Sequence, residues 1–449
     1  MSTAEHHSKR QLTLIDCLGI GINGIVGSGI FFLPAALWRS AGGRGPLAWL
    51  IVGSLCCLVA LCFAEAASRT DRSGGPYRYA CDAFGPYVGF GIGWVTLLST
   101  ILGYAAVARG FGITAAGFVG AGGSTVVEVS VSCAMVLSLC GINILGVRSS
   151  ARTGDVISAV KILSLVLFVL VGLFFVKAAN LTAAPQPAAG EQVGLVAAAF
   201  AGLFACTGFE YIPVPAGEAQ NPRRTIPLAM VISVLASTAL YALVQLVATG
   251  VHPSLGTSET PLVDAVGSFS GLRGRKIMEL AALISSFGFC ASSALVGPRY
   301  LEAFAEDGFM PAAFMRRSSR WGTPAVAVTV LSLLVVGLLS SGLKFQRLAD
   351  VSNVAVVVQY VATCIAVLVL RRKAVTGKQG FVIPLGPLVP CLALAGCLAF
   401  LRFVGVFELR MAALMITIGL VIGAINRSRP SARARARAAG QSDPPPSAS

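Results

Sequence analysis

Apolar runs of about 20 residues follow one another along nearly the whole chain, separated by short polar segments. Each run is long enough to cross ~30 Å of hydrocarbon as a helix, and too long and uniformly apolar for a barrel strand. In lipid every backbone N–H and C=O needs an internal partner, so the pattern predicts helices. Twelve spans are read, at 12–37, 45–66, 85–108, 125–146, 154–177, 191–214, 225–249, 277–304, 323–342, 347–370, 382–404 and 408–426. The first has no small-residue cleavage site and many more follow it, so it reads as a retained helix, not a signal peptide. The expected fold class is an all-α polytopic membrane protein with twelve transmembrane helices.

Composition sharpens this picture. Only 12% of the 449 residues are charged, against roughly 25% in a soluble chain. The net charge of +15 raises the question of nucleic acid, and its distribution answers it. With the N-terminus inside, 22 Lys and Arg fall on inside segments and 11 on the opposite loops, with Lys161 inside a span. That excess is the positive-inside pattern and predicts cytoplasmic termini, multi-pass in the cytoplasmic membrane, with no role for nucleic acid. The short segment 1–11 reads as a cytoplasmic tail. Residues 427–449 are rich in Arg, Ala, Pro and Ser without an apolar pattern, and are expected to be disordered and at most attracted to anionic lipid. The twelve cysteines lack CxxC pairing and mostly sit in apolar runs, which reads as packing, not metal or disulfide chemistry.

Two spans break the pattern from within. In "GIGINGIVGSGIFFLP", Gly19 to Pro34, five of sixteen residues are glycine, each costing a helix about 1 kcal/mol relative to alanine. Gly19, Gly21 and Gly24 read as close-packing positions. The cluster Gly27-Ser28-Gly29 reads as an unwound segment, because the sixth span carries a second interruption at Thr207-Gly208, followed by Glu210, Pro213 and Pro215. Spans one and six open two five-span sets. Paired interruptions at corresponding places are the best sequence pointer to a transporter binding site, since irregular backbone survives at bilayer depth only where it is buried in protein or lines a cavity.

Four stretches in order then resemble the amino acid–polyamine–organocation (APC) superfamily of permeases. They are "GIVGSGIFFLP"; "DRSGGPYRYACDAFGPYVGFGIGW" from Asp71 to Trp94; "GFEYIPVPAGEAQNPRRTIPLA" from Gly208 to Ala229; and "PRYLEAFAEDGFMP" from Pro298 to Pro311. The resemblance covers spans one to ten. It implies two inverted five-helix repeats of the leucine-transporter type, 12–177 and 191–370, with two further helices over 382–426. It also implies a substrate held at the midplane between broken helices one and six. A half-helix N-terminus there attracts a carboxylate, carbonyls of the other break accept from an ammonium, and one amino acid zwitterion supplies both charges without burying a lone ion.

The resemblance carries over to particular residues. Ile25, Gly27, Ser28 and Gly29 match the carboxylate-binding break, and Cys206, Thr207 and Gly208 the amine and side-chain pocket. Phe204 stands where the family places an aromatic gate; a core or lipid-facing Phe is the plainer reading. Glu210, an acid within a span, is either a coupling group or a partner for freed backbone. Lys161 lies seven residues into span five, ~10 Å deep at 1.5 Å per residue. Members of the family that do not use sodium carry a lysine here, and its ammonium resembles a substitute for that ion between helices one, five and eight. Burial disfavours its charged form, which would suit it to proton exchange; snorkelling to the interface is the alternative. Ser286 and Ser293, seven apart and so on one face, are its expected helix-eight neighbours. Many members have Asn where this chain has Ala291, which leaves the helix-eight lining open. Arg223, Arg224 and Arg299 read as topology and gate-closing charges.

These residues favour a secondary transporter of neutral, small or apolar amino acids, proton-coupled or exchanging, with a cationic amino acid or polyamine carrier as the alternative. The expected partners are an amino acid, protons and membrane lipid; no cofactor or metal is implied. A membrane enzyme is disfavoured, because the histidines are only His6, His7 and His252 and no HExxH or GxSxG occurs. A non-transporting amino acid sensor or a channel remains as a third class.

Overall fold

The computed structural model describes residues 12–69, 75–146, 151–187, 192–213, 219–318, 320–373 and 381–427. The tail 1–11 lies outside the described residues, as do the basic tail beyond Arg427, Asp71 and Pro215. Among the described residues every regular element is helical, apart from one isolated bridge between Leu12 and Ala219. The helices are α1 Leu14–Ile25, α2 Gly29–Ala41, α3 Gly45–Arg69, α4 Gly75–Phe84, α5 Pro86–Phe118, α6 Thr125–Ile144, α7 Ala151–Gly172 and α8 Ala178–Leu181. They continue with α9 Leu195–Cys206, α10 Pro222–Val251, α11 Pro261–Glu306, α12 Ala325–Ser340, α13 Phe345–Arg372, α14 Leu388–Phe400 and α15 Val406–Arg427.

Among the described residues, eight helical stretches are long and apolar enough to cross a membrane: Gly29–Arg69, Pro86–Phe118, Thr125–Ile144, Val156–Phe175, Arg224–Val251, Pro261–Glu306, Phe345–Arg372 and Val406–Asn426. Four shorter apolar helices, Leu14–Ile25, Leu195–Tyr211, Ala325–Ser340 and Leu388–Phe403, occupy the remaining runs. This is a polytopic helical membrane protein. The shortness of α1 and α9 follows from their breaks, since each is half of an interrupted run. Two helices were not expected. The ten residues of α4 bury Tyr77, Tyr79 and Ala83 and are too short and polar to span. The first segment of α11 bends from the rest at Gly271 (φ 66°, ψ −158°). Helix α5 also runs ten residues past its expected end at 108.

Local chemistry sets the ends. Thr13 and Asp16 form a reciprocal capping box that starts α1, with Thr13 N–H donating to Asp16 Oδ2 at 2.7 Å and Asp16 N–H to Thr13 Oγ1 at 3.3 Å. Pro86, Pro222 and Pro261 occupy first helical positions, where the missing N–H costs nothing. Helix α5 runs through the interior and packs on α4, α6, α11, α12 and α13. Helices α1 and α2 lie against α7, α9, α10 and α11, which brings both interruptions into one interior region.

Buried charges tie helices at their ends. Glu65 of α3 is fully buried. It accepts Arg371 Nε at 2.8 Å and Nη2 at 2.5 Å, Arg69 Nη2 at 2.7 Å, and the Ile383 N–H at 2.9 Å. Nearer the surface, Arg78 of α4 reaches Asp307 at 2.6 Å and Glu306 at 3.2 Å at the end of α11, and the Tyr77 hydroxyl bonds Asp307 too. Removing one partner from a buried ionic cluster leaves the others uncompensated. Glu65→Ala should therefore lower stability by about 3 kcal/mol, read as a fall of several degrees in the thermal midpoint of the detergent-purified protein. An unchanged midpoint would show that the cluster contributes nothing.

Candidate functional site

The first interruption is three residues long. α1 ends at Ile25, Val26 leaves helical geometry (φ −80°, ψ 88°), and α2 restarts at Gly29. The second follows α9, which ends at Cys206; Thr207 is extended (ψ 164°), Gly208 is left-handed (φ 110°), and a 3-10 turn covers Phe209–Tyr211. The two breaks touch through main chain. A Cβ on Gly208 would lie 2.2 Å from the Gly24 carbonyl oxygen, and one on Gly24 would lie 2.7 Å from that of Gly208. A Cβ on Gly21 would lie 2.5 Å from Ser233 Oγ. Gly21 and Gly24 thus serve close packing, and the 27–29 cluster the unwinding.

Four helix ends meet here, and the chain neutralises two. The C-terminal end of α1 carries partial negative charge, and Lys161 of α7, fully buried, points its ammonium there. Nζ donates to Val26 O at 2.8 Å, Asn23 Oδ1 at 2.6 Å and Asn23 O at 3.3 Å. The side chain turns into the protein and does not snorkel. On the far side of the second break, Glu210 Oε2 accepts the Gly208 N–H at 2.8 Å. The other two ends face one another: a Cβ on Gly29, the first residue of α2, would lie 2.7 Å from Ala205 Cβ in the last turn of α9. At the α2 end, first-turn N–H groups such as Gly29 and Ile30 have no acceptor inside the helix. Ser28 Oγ beside them is buried and has no hydrogen-bond partner. At the α9 end, last-turn carbonyls such as Ala205 and Cys206 have no intrahelical donor. A donor cluster with positive potential thus abuts an acceptor cluster with negative potential.

The remaining carbonyls of the first break are committed. Ser285 Oγ donates to Val26 O and Gly27 O, both at 3.2 Å, and the Tyr241 hydroxyl to Ile25 O at 3.1 Å. Thr207 Oγ1 donates back to Phe204 O at 2.8 Å. The ring of Phe204 lies beside Gly29, 3.4 Å from where its Cβ would be. That ring meets Phe345 edge-on at 5.7 Å, and Phe345 meets Phe32 at 5.0 Å, so three aromatics cover the break on the α2 side. Ile25, Gly27, Ser28, Gly29, Phe204, Cys206, Gly208 and Glu210 are all buried, and Thr207 half-buried.

The helix-eight expectation shifts by one residue. The α11 face toward the first break carries Ser285, Gly288 and Ser292. A Cβ on Gly288 would lie 3.1 Å from Lys161 Nζ, and Asn23 Nδ2 donates to Ser292 Oγ at 2.8 Å. Ser286, one position round the helix, donates to Ala282 O of its own helix at 2.8 Å, and Ser293 is buried away from the Lys161 ammonium's acceptors. Sequence reasoning also passed over Asn23, Tyr241, Phe32 and Phe345. Asn23 was the one legible in advance: a lone amide in an apolar run, four residues before the Gly27 break.

Known proteins bear on this geometry. Residues 12–425 match the family model described as "Amino acid permease". The chain is 28% identical to the serine/threonine exchanger SteT of Bacillus subtilis (strain 168) over 436 residues, covering 94% of this chain and 97% of that protein. It is 27% identical to the branched-chain amino acid permease BcaP of the same organism, covering 94% of each. It is also 28% identical to that organism's methylthioribose transporter, covering 87% of this chain and 88% of the other. The matches are to permeases and transporters, not enzymes. The family match spans both interruptions and nearly every helix, and the chain belongs to the amino acid permease family.

Proposed function

We propose that this protein is a secondary transporter that carries neutral amino acids across the cytoplasmic membrane by alternating access. The observation that carries the proposal is the pairing of helix ends. Lys161 and Glu210 each serve one end of a break, while the α2 N-terminus and the α9 C-terminus abut, among the described residues, without a charged partner of their own. An α-amino acid places its carboxylate and ammonium two bonds apart on one carbon, which fits two abutting poles of opposite sign. The one carboxylate within the second break, Glu210, is engaged by the Gly208 N–H, which favours a neutral over a cationic side chain. The names of SteT and BcaP point to small and branched neutral substrates.

The proposed architecture is twelve membrane-crossing segments, two inverted five-helix repeats over 12–177 and 191–370 with two further helices, and both termini cytoplasmic. Lys161 stands in for a coupling cation, so transport runs with protons or by exchange. The test is uptake of radiolabelled amino acids into proteoliposomes, with and without an imposed pH gradient and with sodium omitted. Accumulation without sodium supports the reading. Binding without accumulation would make the protein a sensor, and strict sodium dependence would remove Lys161 from its role. Ser28→Ala deletes one donor to the carboxylate, a hydrogen bond to a charged group worth about 1.5 kcal/mol. KM should rise about tenfold with Vmax unchanged.

A further inference from the structure

The first break has a second set of buried partners, on α10, that the transport chemistry above does not use. Tyr241 and Gln245 sit one turn apart on that helix, both fully buried. The Tyr241 hydroxyl donates to Ile25 O at 3.1 Å, on the α1 side of the break. Gln245 Nε2 donates to Pro34 O at 3.1 Å, on the α2 side, and to Thr249 Oγ1 at 3.2 Å. Its Oε1 accepts the Trp49 indole N–H of α3 at 3.2 Å, and that indole meets the Tyr241 ring edge-on at 5.0 Å. One continuous helix therefore grips the chain on both sides of a three-residue gap, and a third helix braces the grip.

We infer that Tyr241 and Gln245 are positioning residues that hold α1 and α2 as a single rigid cradle, keeping the donors of Ser28, Gly29 and Ile30 aimed at the substrate carboxylate. Left to itself, a Val-Gly-Ser joint between two half-helices would act as a hinge. Buried hydrogen bonds to both halves, in a low dielectric, remove that freedom. Misplacement of recognition groups by even 1 Å is costly, so loosening the cradle should appear in affinity. Because Ile25 O and Pro34 O are main-chain groups of α1 and α2 that flank the break, the effect should be the same for every amino acid, whatever its side chain. The inference rests on the substrate reading above.

The test is Tyr241→Phe, which keeps the ring and its contact with Trp49 and deletes the hydroxyl, together with Gln245→Met, which keeps the volume and deletes the amide. In proteoliposomes each variant should raise KM about 5- to 10-fold for every transported amino acid, with Vmax within about twofold and the ranking of substrates unchanged, as for lost uniform binding. The thermal midpoint without substrate should fall by a few degrees at most, the cost of the buried groups left unpaired, while the stabilisation produced by added substrate shrinks. Because both residues act on one cradle, the double variant should fall short of the product of the single effects. Unchanged KM in Tyr241→Phe overturns the inference. So does a fall in Vmax and midpoint at unchanged KM, which is the signature of a packing role alone. Failure of the wild-type protein to take up any amino acid strikes the transport reading instead, so the two failures are distinguishable.

Discussion

Lys161→Ala is expected to bring amino acid uptake down to the background of empty proteoliposomes while the protein still folds. The ammonium of Lys161 holds two short bonds into the first break, to Val26 O at 2.8 Å and Asn23 Oδ1 at 2.6 Å. Hydrogen bonds from a charged donor contribute about 1.5–3 kcal/mol each. Losing both frees the first break from the group that fixes its geometry, and a misplacement of about 1 Å there costs about 100-fold. Folding survives for a separate reason. All three recorded acceptors of Nζ are neutral oxygens, so the native state bears the full cost of desolvating that ammonium, and alanine removes that cost along with the bonds. The consequence falls on electrostatics. Without Lys161 the negative end of α1 stands beside the α2 N-terminus, and the positive potential offered to a carboxylate weakens. Any pH dependence of uptake that Lys161 confers should also disappear with its amine. The measurement is initial uptake across a pH series, paired with size-exclusion and thermal-shift profiles of the purified variant. Wild-type uptake with wild-type pH dependence in Lys161→Ala would falsify the coupling role.

The helices and the two breaks were legible because each rests on a strong local cause. Apolar length fixes where helices lie, and glycine clusters inside such runs have little reason to exist unless the backbone must unwind or pack closely. Lys161 was legible for the same reason: an ammonium deep in a span is costly and needs an explanation. The orientation of α11 was not. Ser285 and Ser286 are adjacent and chemically alike, yet 100° apart round the helix, and only tertiary packing selects the one that reaches Val26 O and Gly27 O. Of the aromatic cover, Phe204 was named through the family resemblance; Phe32 and Phe345 escaped because they come from two other segments, and nothing local separates them from the other phenylalanines of an apolar chain. The α4 helix escaped because ten half-polar residues between spans look like a loop when spans are sought by length. What composition and periodicity could not supply was side-chain direction, and the choice of partners at the site depends on direction.

The second large effect should come from a single methyl group. Gly208→Ala is expected to reduce uptake by at least about 100-fold and to lower the thermal midpoint as well. At Gly208 φ is 110°, a region where an L-residue costs about 1–3 kcal/mol of strain. The added Cβ would also stand 2.2 Å from the Gly24 oxygen and 2.3 Å from its carbonyl carbon, inside the ordinary contact distance of 3.4 Å and more. Both obstacles are main-chain atoms, so no side-chain rotation relieves them; α1 and the second break must move apart by about 1 Å. A displacement of that size in a binding constellation costs about 100-fold, and here it separates the α2 and α9 ends that the proposed zwitterion would bridge. Gly24→Ala probes the same contact from the other side. Its Cβ would meet the Gly208 oxygen at 2.7 Å, but Gly24 is already helical, so the clash comes without the φ strain and the loss should be smaller. Gly337→Ala is the matched control, since a Cβ there meets nothing within 4 Å in the last turn of α12; uptake should be unchanged and the midpoint the same or slightly higher. Wild-type KM and Vmax in Gly208→Ala would mean that the two breaks need not touch. The site would then have to be sought where a single half-helix end acts alone, without the opposite pole that makes a zwitterion the fitting substrate.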